Sequence, residues 1–366
     1  AAALVSGGPG ALVWMELAAL LGLAAKFAEC MLAVKYRHVR RDGTRWGGPM
    51  AVMEMRLGPA GAVLGRSYAL FALLMAFAMG AMAQSGALAD TFSAAFTLPR
   101  WRVGLVTAAL TLTILLGGIR RIADISTVLV PVMALLYLGG GLAVILGNLR
   151  RLPEAVALML RCAVAPEAAL GGALGIVTRR EALRWGVARS VFSNEAGLGS
   201  AAITAACADT EDPVKQGLIS MTGVFFDTMV ICSVTGLAIC CSGTLGAADG
   251  NGHPLTGAAL TLRAFETVLG PLAPWLIGVA LGLFAFTSVL GCAVQAETTA
   301  SYLLGPEAVR PCRVLYGLAV FAGAVIPMAA VLQLADLANA LMAFPNLVCL
   351  LLLSDEIAGE GRRKDR

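Results

Sequence analysis

The sequence predicts a polytopic membrane protein built of α-helices. Of its 366 residues, 58% are hydrophobic and only 14% are charged, and the mean hydropathy is +0.82. Soluble domains, by comparison, carry about a quarter charged residues. The apolar residues form uncharged runs of the length that a helix needs to cross a bilayer, roughly 20 residues. These runs lack the strict apolar–polar alternation of β-barrel strands, so helices are expected to satisfy the backbone within the lipid.

Nine candidate spans follow one another along the chain. The first, Ala11–Val34, is interrupted by three charged residues, and another contains the polar stretch VFSNEAGLGSAAITAA at 191–206. The remaining seven are uncharged runs: Ser67–Ala89, Val103–Ile119, Ile125–Leu149, Thr228–Ala248, Thr267–Ala296, Val314–Ala335 and Leu337–Ser354. An odd number of spans places the chain ends on opposite sides. The resulting inner segments carry 16 Lys and Arg residues against 10 outside, which favours a cytoplasmic C-terminus.

Composition also excludes several classes of function. A net charge of +4 is too small to indicate nucleic-acid binding. The nine cysteines show no Cys-x-x-Cys pattern and most lie in apolar segments, so they are predicted to pack as small hydrophobic side chains rather than form disulfides or bind metal. Both histidines, His38 and His253, lie in loops. No Ser-His pair is therefore expected within a span, which argues against an intramembrane hydrolase or other enzyme.

The stretch SNEAGLGSA is the most unusual feature of the spans. It places an amide and a carboxylate, Asn194 and Glu195, beside Gly197 and Gly199. Glycines allow a membrane helix to unwind, and the freed carbonyls and half-helix ends can then bind a cation or an anionic group. The alternatives are close helix packing through small residues and, for Glu195, a structural pairing with an arginine. The adjacent Asn-Glu pair favours a functional break.

Other charged residues within spans are functional candidates, because a charge in the membrane is costly. Lys26 and Glu29 are three residues apart and are predicted to form an internal salt bridge. Asp227 has no cation within a helical turn and is either a gate or coupling residue or a structural hydrogen-bonding group. Three carboxylates near segment ends are expected to snorkel or cap helices: Asp90, Glu297 and Asp336.

Two polar clusters complete the candidate site. AMAQSGALAD (81–90) contains Gln84 and Ser85, and FAFTSVLGC (284–292) contains Thr287 and Ser288. Hard cations such as Na⁺ prefer oxygen ligands of these kinds. The alternative is that the hydroxyls bond back to carbonyls of their own helix.

Several stretches together resemble the alanine/glycine:cation symporter family, the sodium:alanine transporters of bacteria and archaea. They are spread in family order over nearly the whole chain, and the Asn-Glu-Ala-Gly-Leu-Gly-Ser run followed by Asp-Pro-Val-x-Gln-Gly is the most specific. The matching stretches are SGGPGALVWMELAALLGLAAKFAECMLAVKYR, WGGPM, GGIRRIADISTVLVPVMALLYLGG, RWGVARSVFSNEAGLGSAAITAACADTEDPVKQGL, FFDTMV and LADLANALMAFPNLVCLLLLS.

The resemblance implies a five-plus-five inverted-repeat fold of the leucine-transporter type, with the substrate and Na⁺ midway across the membrane. Within one transmembrane domain, residues 1–149 would be the remainder of the first repeat. Residues 150–189 would form an external loop or lid, 190–354 the second repeat and 355–366 a cytoplasmic tail. The implied substrate-binding residues are Gln84, Ser85, Asn194, Glu195, Gly197, Gly199, Asp227 and Cys292, and the implied Na⁺ ligands are Thr287 and Ser288.

Two departures from the family pattern bear on these expectations. Family members carry a broken helix with Gly-Thr-Gly-Asn just before SGGPG, and Ala1–Ser6 resembles the end of that helix, so the N-terminal helices are expected to be missing. At Cys292 to Gln295 the chain has CAVQ, where the family usually has a Trp followed within three residues by two Tyr. The second exchange bears on whether alanine or glycine is the substrate.

The function that follows is sodium-coupled symport of a small neutral amino acid across the bacterial inner membrane. No organic cofactor is expected, and Na⁺ is the coupling ion. The alternatives are a related symporter with another substrate or with H⁺ coupling, and a degenerate, non-transporting membrane protein. The sequence leaves the oligomeric state open.

Overall fold

The computed structural model describes residues 1–39, 45–164, 167–169, 176–250 and 252–363. The first half of the chain, residues 1–164, comprises helices and one short hairpin. Its helices are α1 (Ala2–Gly7), α2 (Gly10–Lys35), α3 (Pro49–Arg56), α4 (Gly58–Met75), α5 (Gln84–Phe96), α6 (Arg100–Leu116), α7 (Gly118–Gly147) and α8 (Leu152–Val164). A π-helical segment, Ala76–Ala83, joins α4 to α5, and a 3₁₀ turn, Leu149–Arg151, precedes α8.

The second half also consists of helices and one π-helical segment. Its helices are α9 (Arg179–Asn194), α10 (Ser200–Ala206), α11 (Pro213–Val224), α12 (Ser233–Ser242), α13 (Gly257–Leu269), α14 (Ala273–Leu304), α15 (Val309–Val325), α16 (Met328–Leu352) and α17 (Ser354–Arg363). The second π-helical segment, Phe225–Cys232, joins α11 to α12. Two 3₁₀ turns, Gly270–Leu272 and Pro306–Ala308, precede α14 and α15.

Two antiparallel hairpins occur in the described chain. Strands β1 (His38–Val39) and β2 (Arg45–Trp46) pair His38 with Trp46, and β3 (Glu167–Ala169) and β4 (Ile176–Thr178) pair Glu167 with Thr178. The second hairpin and α8 lie in the segment 150–189, which the resemblance implies is an external loop or lid. Residues 165, 166 and 170–175 of that segment lie outside the described residues.

Seven helices in the described residues are long and apolar enough to cross a membrane. They are Gly10–Lys35, Gly58–Phe96, Arg121–Gly147, Pro213–Ser242, Gly257–Leu304, Pro306–Val325 and Met328–Leu352. The other two predicted spans are helical but shorter: α6, at 17 residues, and the pair α9 and α10, at 16 and 7. The prediction of a helical, polytopic protein is therefore confirmed, whereas two of the nine segments fall short of this length.

Several predicted span boundaries are wrong, because the predicted spans end at charged residues and the helices continue through them. The sequence divides its last two spans at Asp336, but that residue lies inside α16. The chain turns instead at Ile326 and Pro327, where Ile326 is extended (ψ 146°), as a residue before proline usually is. Likewise, Asp227 lies inside the long helix that begins at Pro213, whereas the sequence begins that span at Thr228.

The helices pack around α2 and α14, which contact most of the other long helices. The α2 helix packs against α9, α10 and α11, while α14 packs against α4, α5 and α7. The largest fully buried side chains include Tyr68, Tyr316 and Phe265, one in each of three apolar clusters. Six of the nine cysteines are buried and all nine are free thiols, as the packing prediction requires.

The helix α17 forms ion pairs with residues at the C-terminal ends of α2 and α3. Glu356 forms an ion pair with Lys35 at 2.7 Å and with Arg56 at 2.9 Å, and it accepts a hydrogen bond from the Tyr36 hydroxyl. Glu360 pairs with Lys35 at 2.6 Å. Partial burial by itself raises the pKa of Glu356, but the hydrogen bonds from Lys35 and Tyr36 outweigh it, and the pKa lies below its usual value.

Candidate functional site

The helix that carries the polar motif is interrupted where the sequence predicts it. The α9 helix ends at Asn194, and α10 begins at Ser200. Between them, Glu195, Gly197 and Gly199 have positive φ angles of 53°, 83° and 77°. Glycine adopts this left-handed conformation without steric cost, whereas other residues lose about 1–2 kcal/mol. The predicted break is confirmed, and Glu195 is held there in a conformation unfavourable for its residue type.

Position 199 requires glycine because its neighbours leave no room for a side chain, in addition to its positive φ angle. A Cβ atom at this position would lie 2.5 Å from Cγ of Pro49, 2.7 Å from the Tyr68 hydroxyl and 2.9 Å from Oδ1 of Asn346. The Tyr68 hydroxyl also donates to the Leu198 carbonyl at 3.1 Å. Three elements therefore meet the unwound backbone at a distance that only glycine permits.

The predicted salt bridge of α2 faces this break, with one charge at each half-helix end. Lys26 Nζ donates to the Asn194 carbonyl at 2.7 Å, at the C-terminal end of α9. Glu29 Oε2 accepts from the Gly199 backbone N–H at 3.0 Å, at the start of α10. The two side chains are buried and 3.8 Å apart. Both signs match the helix dipole, whose C-terminal end is negative and whose N-terminal end is positive.

An amide from α16 completes this network. Asn346 Nδ2 donates to Glu29 Oε2 at 3.1 Å and to the Gly197 carbonyl at 2.9 Å. The Asn194 side chain is similarly engaged, since its Nδ2 donates to Ser190 Oγ at 3.2 Å and its Oδ1 accepts from the Ala196 N–H at 3.0 Å. On the side facing α2 and α16, the polar groups of the break are therefore largely bonded to the protein itself.

The opposite side of the break opens onto a cavity of about 400 Å³, which we call the central cavity. It brings together five of the ten predicted site residues: Gln84, Glu195, Asp227, Ser288 and Cys292. The remaining residues that line it are Met79, Ala87, Thr91, Phe192, Ser193, Gly257, Ala258, Thr261, Leu281, Phe284 and Ala285. Its polar groups are thus contributed by helices that lie far apart in the sequence.

The charged side chains among these lining residues are two carboxylates. Glu195 accepts a hydrogen bond from the hydroxyl of Ser200, and Asp227 accepts from Ser193 Oγ at 2.5 Å and from Thr228 Oγ1 at 3.4 Å. Both carboxylates are half-buried. A cavity bordered by two carboxylates and hydroxyl groups is suited to cations.

The other five predicted site residues do not line the central cavity. Ser85 is fully buried with its hydroxyl unpaired, and Thr287 bonds back to the carbonyls of Leu283 and Phe284 at 3.0 Å each. For Thr287 the structure therefore has the alternative arrangement, in which the hydroxyl serves its own helix. The last three belong to the break itself and make the contacts described above, away from the central cavity: Asn194, Gly197 and Gly199.

Sequence reasoning missed the two π-helical segments that border the central cavity. One contains Met79 and the other contains Asp227, and both residues line the cavity. Such segments are rare and occur frequently at functional sites. The first also approaches α14 closely, since a Cβ at Gly80 would lie 2.2 Å from Cβ of Cys292. Wider helical turns have no simple sequence signal, although FFDTMV does place a charge at the second one.

The missed residues Asn346, Phe192 and Ser193 also form part of the site. Asn346 is an amide within the apolar run of α16, directly after Pro345, and that polar insertion was the available signal. Phe192 and Ser193 stand immediately before the motif. Their roles depend on α16 and the π-helical segment Phe225–Cys232 lying near the break, which the sequence does not reveal.

The sequence of the chain is similar to one family of known proteins. A model of the sodium:alanine symporter family matches residues 1–362. The sodium/alanine symporter AgcS of Methanococcus maripaludis is 40% identical over 98% of this chain and 78% of its own length. An uncharacterized transporter of Haemophilus influenzae is 42% identical over the same shares. A probable sodium/glutamine symporter, GlnT of Bacillus subtilis, is 38% identical over 97% of this chain and 72% of its own length.

Proposed function

The chain belongs to the sodium:alanine symporter family, and from that premise we propose that it couples Na⁺ entry to the uptake of a small neutral amino acid. Members of this family are membrane transporters rather than enzymes, and Na⁺ is their coupling ion. We further propose that this multi-pass protein lies in a bacterial inner membrane with its C-terminus in the cytoplasm. The excess of basic residues in the inner segments supports that orientation.

The observation that carries the proposal is the charge of the central cavity. Glu195 and Asp227 line it, and its other described lining residues are uncharged. A neutral amino acid brings an ammonium group, and the coupling ion brings a second positive charge. Two carboxylates would match these two cations, and the substrate carboxylate could share the Na⁺. With both cargoes bound, the cavity holds two protein carboxylates, one Na⁺ and a zwitterion of zero net charge, so its net charge falls from −2 to −1. Because an unpaired charge is costly at membrane depth, this partial neutralisation favours binding of Na⁺ together with the amino acid.

The proposed Na⁺ ligands are oxygen atoms of the same cavity. Ser288 and Gln84 line it, and their hydroxyl and amide oxygens together with a carboxylate oxygen of Asp227 or Glu195 would form a hard-ligand set. Thr287 is one residue from Ser288 but turns its hydroxyl to its own helix. We therefore favour Ser288 over Thr287 as the ligand from α14.

The apolar walls of the central cavity bear on substrate size. Phe192 and Phe284 border it together with Cys292, where the family pattern has a bulky Trp. The smaller Cys292 side chain leaves room for a neutral amino acid larger than alanine. The relatives' names support such variation within the family, since one is a sodium/alanine symporter and another a probable sodium/glutamine symporter.

We also propose that all nine predicted segments cross the membrane. At 17 residues, the α6 helix is close in length to the shortest of the seven long helices, Pro306–Val325 at 20 residues, and α9 and α10 together would form one broken span. The two π-helical segments lie one in each half of the chain, in Gly58–Phe96 and Pro213–Ser242. The family resemblance supports two structural repeats, 1–149 and 190–354, and the helix that opens the second one, α9, begins at Arg179 within the predicted loop 150–189.

An Asp227→Asn substitution in the full-length protein tests the proposed function. It removes one negative charge at nearly constant volume, and we expect Na⁺-dependent alanine binding to weaken at least tenfold, about 1.4 kcal/mol. The control is Glu266→Gln, which removes a half-buried carboxylate that pairs with Arg263 and lies outside the central cavity. Equal binding by the two variants would refute the role given to the two carboxylates.

A further inference from the structure

An apolar groove of about 510 Å³ lies between α5, α6, α7 and α14, and it shares no lining residue with the central cavity. We call it the lateral groove. The side chains of its floor are buried: Leu88, Val103 and Thr107. Those of its rim are exposed: Leu98, Val106, Leu110 and Val279. The groove therefore opens towards the hydrocarbon of the membrane.

The lateral groove extends over about one half of the membrane thickness. The α5 helix ends and α6 begins at the same membrane surface, and Phe92 and Arg102 lie close to those helix ends. Leu129, at the other end of the groove, lies near the middle of α7. Along α6 the groove runs from Arg102 to Leu110, which is about 12 Å. One leaflet contributes about 15 Å to the hydrocarbon core, so the groove matches the depth of one leaflet.

A cation lies at the surface end of the groove. Arg102 is exposed, and its guanidinium lies over the ring of Trp101, 5.3 Å from the centroid. Within the described chain Arg102 has no carboxylate partner, whereas Arg100 is paired with Asp90. Tryptophan and arginine at the ends of membrane helices are typical of the headgroup layer. The groove thus combines an apolar channel one leaflet deep with an unpaired positive charge at the headgroup level.

We propose that the lateral groove binds one glycerophospholipid, with an acyl chain along α6 and the phosphate on Arg102. Arginine can bind two phosphate oxygens at once through its planar set of N–H donors. The Thr107 hydroxyl donates to the Val103 carbonyl at 2.8 Å, so it leaves no unpaired donor against the acyl chain. Because lipid tails are as apolar as these side chains, the affinity above that of bulk lipid comes from close packing and from the phosphate contact.

A second copy of the chain fits this surface less well than a lipid. A two-fold dimer brings the same patch of both copies together. It would place two Arg102 side chains in one interface, and the described residues that line the groove include no carboxylate to balance them. A lipid phosphate supplies this negative charge.

The acyl chain would pack against a helix that also borders the central cavity. Gly282 and Phe286 of α14 line the lateral groove, whereas Phe284 and Ser288 of the same helix line the central cavity. The lipid therefore supports one wall of the central cavity from the membrane side. Its binding requires neither Na⁺ nor an amino acid, so this inference does not rest on the proposed function.

Native mass spectrometry of the purified full-length protein, titrated with dioleoylphosphatidylglycerol, tests this inference. We expect the wild type to retain one lipid more tightly than any further ones. Dioleoylglycerol, which lacks the phosphate, should bind at least tenfold more weakly. Arg102→Ala removes the charge and Val106→Trp fills the groove, and each should weaken binding of the first phospholipid at least tenfold.

Two matched controls should bind the phospholipid as the wild type does. Arg180→Ala removes an exposed arginine that lies outside the groove, and Leu105→Trp enlarges an exposed side chain of α6 that does not line it. All four substitutions replace exposed side chains, so the variants should fold, and their melting temperatures in detergent check this.

Three results would overturn the inference. Equal binding by the wild type and Arg102→Ala would exclude the phosphate contact. Equal binding by the wild type and Val106→Trp would exclude the groove as the place of the acyl chain. A dimer that Val106→Trp abolishes, without a tightly retained lipid in the wild type, would show that a second copy covers this surface instead.

Discussion

The charge pair of α2 is predicted to stabilise the break between α9 and α10, and removing one partner tests this. Glu29→Leu leaves the Lys26 ammonium buried beside the Asn194 carbonyl, and it deprives the Gly199 N–H of its acceptor. Breaking one partner of a buried ion pair costs about 3–5 kcal/mol. We therefore expect the free energy of unfolding to fall by about that amount, with a comparable loss for Lys26→Met.

The double variant, Lys26→Met with Glu29→Leu, should lose less than the sum of the two single losses. Neither charge is then left unpaired, so the coupling energy should be about 1–3 kcal/mol, the upper range for directly interacting residues. Unfolding free energies from titration with sodium dodecyl sulfate, followed by circular dichroism, give all four corners of the cycle. The assay needs no substrate, so it is independent of transport.

A surface pair with the same spacing provides the control. Arg263 and Glu266 are also three residues apart, at 3.3 Å, but their side chains are 62% and 31% exposed. Pairs near the surface contribute about 0–1 kcal/mol, so their coupling should fall below that of the buried pair. If the two cycles give equal coupling energies, the α2 pair does not stabilise the break, and the reasoning from the helix dipole is wrong.

Three further predictions concern the cavity and the C-terminal helix. Ser288→Ala should raise the Na⁺ concentration for half-maximal alanine uptake, whereas Thr287→Ala should not, because its hydroxyl bonds to its own helix; equal effects of the two would contradict the assignment. Cys292→Trp should shift competition away from valine, leucine and methionine towards alanine, because it fills the cavity; an unchanged preference would show that Cys292 does not set its size. Glu356 has a lowered pKa, so its stabilising contribution is complete above its usual pKa and lost as the pH falls through the lowered value. The protection factors of the α17 amides, which correct for the slower intrinsic exchange at low pH, should therefore decrease at acid pH, and less so in Glu356→Gln.

The long apolar helices could be predicted because their length and hydropathy are local properties. The sequence failed where a charge has a partner in another helix. Asp90, Glu297 and Asp336 were expected to snorkel or cap, yet each forms an ion pair with an arginine: Arg100, Arg313 and Arg189. A charge thus paired can lie within a helix, so charges were poor markers of where spans end. The pairing depends on which helices are neighbours, and that is a property of the fold.

The candidate site, like the fold, could be predicted from the sequence only in part. The break at Glu195 to Gly199 follows from residue type, because glycine permits the left-handed backbone. The sequence does not predict that Lys26 binds one half-helix end and Glu29 the other, because these contacts require α2 to lie against the break. The three-residue spacing of Lys26 and Glu29 does predict their ion pair, but nothing in the sequence indicates that the pair lies at the break between α9 and α10.

Uptake of radiolabelled alanine by proteoliposomes that contain the full-length protein tests the central claim most directly. The comparison is between an inward Na⁺ gradient and an equal inward K⁺ gradient, with protein-free vesicles as the blank. We predict that the Na⁺ gradient drives alanine above its equilibrium level inside the vesicles and that the K⁺ gradient does not. Equal uptake under both gradients, or accumulation that follows a proton gradient alone, would contradict sodium-coupled symport by this protein.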